Sequence, residues 1–173
     1  MLGRTYDSQT CSIARTLELV GDRWTLLLLR DVLLSRLTRF TDFQRSLGIA
    51  TNVLDERLTR LVDDGILTRR RYADQPVLDE YLVTPKGADL LPVLLALSAW
   101  GDTWAAPDGV PIVYRRDDCD GEVHLEMRCS HGDRVDGVDD LHVEVGPGMS
   151  ASRIELMADI RAKRARDPRL DRA

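Results

Sequence analysis

Aromatic residues are scarce in this chain of 173 residues. They make up 5% of it, while hydrophobic residues make up 43% and charged residues 31%. The two larger fractions are ordinary for a globular protein with a packed core. No apolar run approaches the ~20 residues that a membrane helix needs, and the N-terminal sequence MLGRTYDSQT holds no apolar signal segment. We therefore expect a cytoplasmic protein with no membrane contact.

Cysteine and histidine are rare as well. The cysteines, Cys11, Cys119 and Cys129, are odd in number, so free thiols are expected rather than a disulfide framework. No histidine precedes His124, and the chain has neither a Gly-x-Ser-x-Gly motif nor a phosphate-binding glycine loop. We expect no enzyme and no cofactor. A metal-dependent hydrolase built on residues 119–142 stays a distant alternative.

Side chains with metal-ligand chemistry form a single group, which contains Cys119, His124, Cys129 and His131. A zinc site usually takes four ligands as two close pairs. Only Cys129 and His131 are close in this sequence, and no Cys-x-x-Cys occurs. Cys119, Cys129 and His131 are therefore weak metal candidates, and we expect this region to bind no metal.

Lysine is nearly absent: Lys86 and Lys163 are the only two among 24 basic residues. The net charge of −5 requires any contact with nucleic acid to be local. Residues 36–71 hold 8 arginines and 5 acidic residues, a net charge of +3, whereas residues 107–173 hold 11 basic and 15 acidic residues, a net charge of −4. Positive charge is thus concentrated in one part of the first half.

Residues 40–72 have the order of a short helix, a turn, a second helix and a basic strand. A capping box of Thr41 and Gln44 predicts a helix from about Asp42 to Leu47. The second helix is predicted from about Thr51 to Asp64, where a glycine ends it. This order is typical of a helix-turn-helix followed by a wing, and it indicates a DNA-binding regulator.

The second helix has an apolar stripe and a polar face. At ~100° per residue, its leucines share one side and its exposed N-terminal half carries Thr51, Asn52, Asp55 and Glu56. We predict that these four side chains meet base edges in the major groove, where asparagine pairs well with adenine. Phosphates would repel Asp55 and Glu56 unless they accept from cytosine or pair with an arginine. Arg57 and Arg60 are either phosphate contacts or members of internal ion pairs.

The strand after this helix carries three consecutive arginines. Strand alternation puts Arg69 and Arg71 on one face and Arg70 on the other. We predict that they contact phosphates and that one of them enters a minor groove. The alternative is a solvated basic strand whose arginines pair with Asp63, Asp64 or Glu80.

Two strands and a long helix are predicted next. The strands are Ile66 to Tyr72 and Tyr81 to Val83, with a turn from Ala73 to Asp79 between them. Thr84 followed by a proline opens a helix that continues to about Trp104, with a second proline in its first two turns.

That long helix is apolar over a wide arc. It completes the domain's own core or it forms a dimer interface, and we favour the interface because the preceding helices already supply a core. The predicted interface residues are Leu91, Leu94, Leu95, Trp100 and Trp104.

The composition changes after residue 106, with many Asp and Gly and short strand-like pieces at Ile112 to Arg115, Val123 to Met127 and Leu141 to Val145. A capping box of Ser152 and Glu155 predicts a last helix to about Arg166. We predict a mainly α protein with a small β wing, which is an α+β fold of winged helix-turn-helix type. Its divisions are a DNA-binding and dimerisation domain (8–106), a small β-rich appendage (107–149), and a C-terminal helix and tail (150–173).

Several motifs resemble those of the HxlR family of bacterial winged-helix regulators, within the MarR-like superfamily. They are Cys11, Gly21-Asp22-Arg23-Trp24, Arg30-Asp31, Phe40, Leu58, the stretch Leu61 to Leu67, and Thr84-Pro85-Lys86-Gly87. The resemblance covers roughly Cys11 to Trp104. One departure is Ala50, where many relatives have a serine cap, a loss of about 1 kcal/mol unless Thr51 takes that role.

The resemblance implies a homodimer on a pseudo-palindromic operator of double-stranded DNA, with recognition helices in successive major grooves and wings over the flanking minor grooves. It implies a transcriptional repressor or activator, and we expect a repressor. A small-molecule effector or an oxidant is an expected signal, with Cys11 as the candidate redox sensor. The alternative for Cys11 is a packed, inert thiol. Longer relatives carry a ribbon-like tail with a second paired cysteine near position 132, of which this appendage looks like a remnant. A winged-helix protein-interaction module without DNA binding remains the alternative.

Overall fold

The computed structural model describes residues 11–74 and 77–165, and the chain falls into two compact units. We call residues 20–136 the core unit, and we call the described residues 11–19 and 137–165 the terminal unit. The helices and strands in chain order are α1 (Ser12–Val20), α2 (Arg23–Leu33), α3 (Phe40–Leu47), α4 (Thr51–Asp63), β1 (Leu67–Asp74), β2 (Val77–Val83), α5 (Pro85–Ala88), α6 (Leu91–Trp104) and α7 (Ala151–Ala165), with a 3₁₀ turn at Val138–Asp140. None of the helices within the described ranges is long and apolar enough to cross a membrane.

Helix α2 begins at a side-chain cap and packs a leucine face inward. The Asp22 carboxylate accepts hydrogen bonds from the backbone N–H of Trp24 at 3.0 Å and of Thr25 at 3.2 Å. These bonds satisfy two of the donors that a helix start leaves free. Leu28 and Leu29 are fully buried, and each leucine buried in this way stabilises the fold by ~1.5–3 kcal/mol.

The helix-turn-helix lies against this face. Helix α3 ends at Gly48, whose φ of +63° is a left-handed conformation that glycine adopts without steric strain. The chain then turns into α4, which buries Leu54, Leu58 and Leu61. Phe43 from α3 is also fully buried, so one core joins both helices and fixes their angle. The predicted fold class, a winged helix-turn-helix in a mixed α+β chain, is confirmed.

The start of α3 differs from its prediction, whereas α4 starts at the predicted residue. Helix α3 begins two residues early, with Arg39 at the N-cap position, so Thr41 lies inside the helix and the predicted capping box does not form. Gln44 donates instead to the Thr51 hydroxyl across the turn, at 2.8 Å. Helix α4 begins at Thr51, and Ala50 at its N-cap has extended backbone and makes no side-chain cap.

The wing is a longer hairpin than predicted. β1 and β2 pair antiparallel, and the predicted turn from Ala73 to Asp79 is wrong, since its described residues belong to the two strands. A bulge between Arg71 and Ala73 absorbs one extra residue. The register places Asp79 opposite Arg71, so an acidic residue that looked typical of a turn is instead a strand residue facing an arginine.

The junction of the wing with the next helix is tight. The Thr84 hydroxyl caps α5 by accepting from the Gly87 N–H at 3.2 Å, and it donates to the Gly65 carbonyl at 2.8 Å. Gly87 is buried, and a Cβ there would overlap the Ile66 carbonyl oxygen and lie 2.9 Å from Val83 Cγ2. Glycine is therefore required at this position for close packing.

The single long helix that was predicted after this junction is two helices. α5 ends at Ala88 and α6 starts at Leu91, with Pro92 in its first turn. Proline has no N–H and its ring would clash with the carbonyl four residues earlier, so an uninterrupted helix is unfavourable here. The chain breaks and restarts with proline where a helix tolerates it.

The appendage contains less β structure than predicted. Across residues 107–149, all of which the structure describes, the three strand-like pieces form no ladder, and the extended pairing consists of isolated bridges between Arg115 and Glu122 and between Arg128 and Arg134. The last helix, α7, starts at Ala151, so Ser152 lies within it rather than at its cap.

Replacing Gly87 with alanine tests the tight junction. We expect the Gly87→Ala variant to be less stable by about 1–3 kcal/mol, because the added methyl group forces backbone to move in a packed region. The measurement is the free energy of unfolding from denaturant titration. Gly101→Ala, inside α6 with open space around its Cβ position, is the control and should be equally stable or more stable by about 0.5–1 kcal/mol. Equal stabilities for Gly87→Ala and the wild type would contradict this packing.

Candidate nucleic-acid interface

The exposed face of α4 carries the predicted base-reading residues. Thr51, Asn52, Asp55 and Glu56 are all exposed, while the opposite face of the helix is in the core. The polar side chains of the first turn, Thr51 and Asn52, project from a helix end that is fixed by packing on α3. This face therefore has the polarity and the exposure needed to enter a major groove.

Arg57 is an internal residue. Its Nε donates to Asp22 Oδ1 at 3.0 Å and its Nη1 to Glu56 Oε1 at 2.9 Å, and its side chain is 15% exposed. Burial raises the pKa of Asp22, but hydrogen bonds from Arg57 and from the backbone of Thr25 and Trp24 outweigh it, so this pKa lies below its ordinary value. Arg57 was predicted to be either a phosphate contact or a member of an internal ion pair, and the structure supports the ion pair.

Arg60 lies on the same helix, further from the turn. Its Nε is 3.7 Å from Asp64 Oδ2, four residues along, and its side chain is about one-third exposed. An ion pair of this kind contributes little to stability. Arg60 can therefore change partner more easily than Arg57.

The wing arginines are paired with acidic residues of the neighbouring strand. Arg70 Nε donates to Glu80 Oε1 at 2.8 Å, directly across the hairpin. Arg69 Nε donates to Asp79 Oδ2 at 2.7 Å, diagonally on the other face, and this bond is the main reason that the pKa of Arg69 is raised. Of the partners expected for a solvated strand, Glu80 is present, while Asp79 was not foreseen. Arg71, the third arginine of the wing, is also exposed.

A cleft lies between the wing and the N-terminal half of α4. We call it the wing cleft, and its volume is about 250 Å³. The residues that line it include Arg39, Thr41, Asp55, Arg69, Tyr72 and Asp79. The cleft brings a predicted base-reading residue and a predicted phosphate contact to one surface. Arg39, which the sequence reasoning did not single out, also lies there, with its guanidinium carbon 4.9 Å from the centre of the Tyr72 ring.

The predicted dimer residues on α6 do not behave alike. Leu94 is 7% exposed and belongs to the core of its own unit, so it is not an interface candidate in this arrangement. Trp100 and Trp104, in contrast, are 64% and 74% exposed, and Leu91 is also exposed. Leu95 is half-buried. The exposed tryptophans leave a large apolar surface on the second half of the helix.

All three cysteines are exposed free thiols. Hydrogen bonds from the backbone N–H groups of Ala14 and Ile13, at the start of α1, lower the pKa of Cys11. In the appendage, the Cys129 sulfur accepts from the His131 N–H at 3.4 Å. Among the described residues, no group of three or more His, Cys, Asp or Glu side chains is arranged to hold a metal ion.

Three of the residues that organise this surface, Asp22, Asp79 and Glu80, carried a local signal in the sequence. Asp22 stands immediately before a helix, where aspartate is a preferred cap. Asp79 and Glu80 stand in a short segment that ends in Tyr81-Leu82-Val83, and its aromatic and β-branched residues are compatible with a strand. The fourth residue, Arg39, had no comparable signal, because its position beside Tyr72 depends on a contact between separate elements.

The chain is similar to known helix-turn-helix proteins. Residues 19–109 match the family of HxlR-like helix-turn-helix proteins. An HTH-type transcriptional regulator of Mycobacterium tuberculosis, itself uncharacterized, is 37% identical over 141 residues, which are 81% of this chain and 89% of that protein.

Solved structures of similar proteins also cover much of the chain. PA1607, which is named as a transcription factor, is 35% identical and has a TM-score of 0.71, and the match covers 80% of this chain and 97% of that one. The reduced form of the redox regulator HypR is 30% identical with a TM-score of 0.50, covering 54% of this chain and 92% of that one.

Proposed function

This chain belongs to the HxlR-like helix-turn-helix family and is a transcriptional regulator of the helix-turn-helix type; from that premise we propose that it is a repressor that binds a pseudo-palindromic operator as a homodimer. The single observation that supports this most is the wing cleft. It joins Asp55 on the exposed face of α4 to Arg69 of the wing. Both residues belong to residues 36–71, which carry a net charge of +3 in a chain of net charge −5.

Base reading and phosphate contact are divided between the two elements. Thr51 and Asn52 at the start of α4 supply donors and acceptors for base edges. Arg69 and Arg70 on β1 supply charge for the backbone, and phosphate contacts of this kind position a protein without specifying sequence. Because Asp55 and Glu56 add negative charge to the reading face, affinity depends strongly on the wing.

The wing arginines must exchange partners when DNA binds. In the free protein, each of Arg69 and Arg70 is bonded to a carboxylate. A phosphate oxygen offers an arginine the same charge-assisted hydrogen bond as a carboxylate does. The exchange leaves the negative charge of Asp79 or Glu80 without its arginine partner, which reduces the net free energy gained on DNA binding. Removing the carboxylate should therefore strengthen DNA binding, and removing the arginine should weaken it.

A pair of substitutions at one wing contact tests this exchange. With duplex DNA from upstream of the chain's own gene at about 100 mM salt, we expect Arg70→Ala to weaken binding about 3–10-fold and Glu80→Gln to strengthen it by a similar factor. Fluorescence anisotropy titration measures both affinities. Arg116→Ala is the matched control, since Arg116 also pairs with a nearby acid, Asp118 at 2.7 Å, but lies in the appendage; its affinity should equal that of the wild type.

The same titration separates regulation from the alternative function. A wild-type chain that binds no duplex DNA even at low salt would contradict the proposed function and favour a protein-interaction module, because this fold is used in both ways. Equal affinities for Arg70→Ala and Arg116→Ala would contradict only the role of the wing and would leave DNA binding itself in place.

The homodimer rests on α6. Its exposed tryptophans, Trp100 and Trp104, form an apolar surface of the kind that marks interaction sites, and aromatic residues are enriched at the centre of protein interfaces. A second copy is the partner that this function needs, because two recognition helices address two half-sites one helical turn apart.

A charge placed on α6 tests the dimer. We expect Trp100→Asp to be monomeric at concentrations where the wild type is a dimer, since the aspartate would have to be desolvated at the interface. Sedimentation velocity measures the mass in solution. Val138→Asp, at another strongly exposed apolar residue, is the control and should remain dimeric. A monomeric wild type, or a dimer that persists in Trp100→Asp, would contradict this interface.

Cys11 is the proposed sensor of an oxidant signal. Its thiol is exposed and its pKa is lowered, and both properties favour reaction with oxidants and electrophiles. The similar protein HypR is named a redox regulator. A bound small-molecule effector is the alternative signal for the proposed regulator.

A cysteine replacement tests the sensor. Treatment with a mild thiol oxidant should weaken DNA binding of the wild type and of Cys119→Ser, while Cys11→Ser should bind DNA equally well with and without the oxidant. The readout is the affinity for the upstream duplex before and after treatment. Loss of binding on oxidation that persists in Cys11→Ser would rule out this role.

A further inference from the structure

Arg39 is fixed to the edge of the wing by the backbone. It immediately precedes α3 and has an extended conformation, with φ −106° and ψ 143°. A bridge joins it to Glu80 of β2, and the neighbouring Tyr81 N–H donates to the Thr38 carbonyl at 2.8 Å. The bridge and the adjacent hydrogen bond thus join the backbone at Arg39 to β2.

The side chain of Arg39 is held by an aromatic ring. Its guanidinium carbon is 4.9 Å from the centre of the Tyr72 ring on β1, and both side chains are exposed. A cation–π contact restrains a guanidinium without cancelling its charge, because the ring is neutral. The planar group keeps edges that can donate to an anion, the geometry in which arginine binds phosphate.

The charge of Arg39 contrasts with that of its neighbours. Arg57, Arg69 and Arg70 are each bonded to carboxylates, so their charges are largely compensated in the free protein. The described partner of the Arg39 guanidinium is instead a neutral ring. Among the cations of the wing cleft, Arg39 can therefore meet a phosphate without first leaving an ion pair.

The position of Arg39 also fits a duplex. It lies in the same cleft as Asp55 of α4 and Arg69 of β1. A helix inserted in the major groove brings the flanking backbone close to the surface between helix and wing, where contacts to phosphate orient the protein on the duplex. We propose that Arg39, restrained by Tyr72, is a phosphate contact of the DNA complex. This inference rests on the proposed DNA-binding function.

The experiment measures affinity for the upstream duplex and for an unrelated duplex between about 50 and 200 mM salt. Arg39→Ala should weaken binding to both duplexes by a similar factor, about 3–10-fold at ~100 mM salt. It should also make the negative slope of log affinity against log salt less steep by about 0.9, because one phosphate contact is lost. Arg36→Ala, in the same loop and also exposed, should leave the affinity and the slope unchanged. Circular dichroism confirms that each variant folds.

The role of Tyr72 is tested by coupling the two positions. Tyr72→Leu should weaken binding about 2–5-fold in the wild type, the range of a cation–π contact at an exposed site, and should add no further loss to Arg39→Ala. Tyr72→Phe, which keeps the ring, should bind like the wild type. Additive losses in the double variant would overturn the positioning by Tyr72.

The outcomes distinguish this inference from the function on which it rests. A wild type that binds neither duplex fails the proposed function. A wild type that binds, with the same salt slope in Arg39→Ala, overturns only the phosphate contact. Equal losses in Arg36→Ala and Arg39→Ala also overturn it, because the effect would then be one of general charge rather than of this position.

Discussion

The ion pair between Asp22 and Arg57 is the contact on which the predicted DNA-contact surface, the exposed face of α4 beside the wing, depends. The Asp22 carboxylate caps α2 and also binds the guanidinium of Arg57 on α4, so it joins these two helices. Because Arg57 is mostly buried, rotation of α4 would break this bond and expose the leucines on its inner face. The orientation of Thr51 and Asn52 toward solvent follows from that constraint.

The electrostatics of the surface follow from a second set of pairs. Asp79 and Glu80 are 13% and 17% exposed at their side chains, and they are fixed on β2 beside more exposed arginines. The wing is therefore closer to neutral in the free protein than its three arginines imply. Such compensation limits binding to arbitrary DNA, which depends on charge alone. It also agrees with a chain of net charge −5, in which DNA affinity must come from one local surface.

The order of elements could be predicted from sequence because it rests on local signals. Gly48 and Thr84 mark turns and caps, and the leucines of α4 have helical periodicity. One failure was local, since Pro92 divides a predicted helix. The others were contacts between elements: Gln44 bonds across a turn rather than within a capping box, and the wing continues past its expected turn. Pairing partners and aromatic stacking, as at Arg39, depend on tertiary neighbours and have no period in the sequence.

The central claim is that the exposed start of α4 reads a specific DNA sequence. Genome-wide mapping of bound DNA in cells that produce either the wild type or an Asn52→Ala variant tests it most directly. For the wild type we expect discrete sites upstream of genes that share a pseudo-palindromic sequence, and for the variant we expect that sequence to be lost or relaxed. Absence of enriched sites for the wild type, or an identical set for the variant, would contradict it.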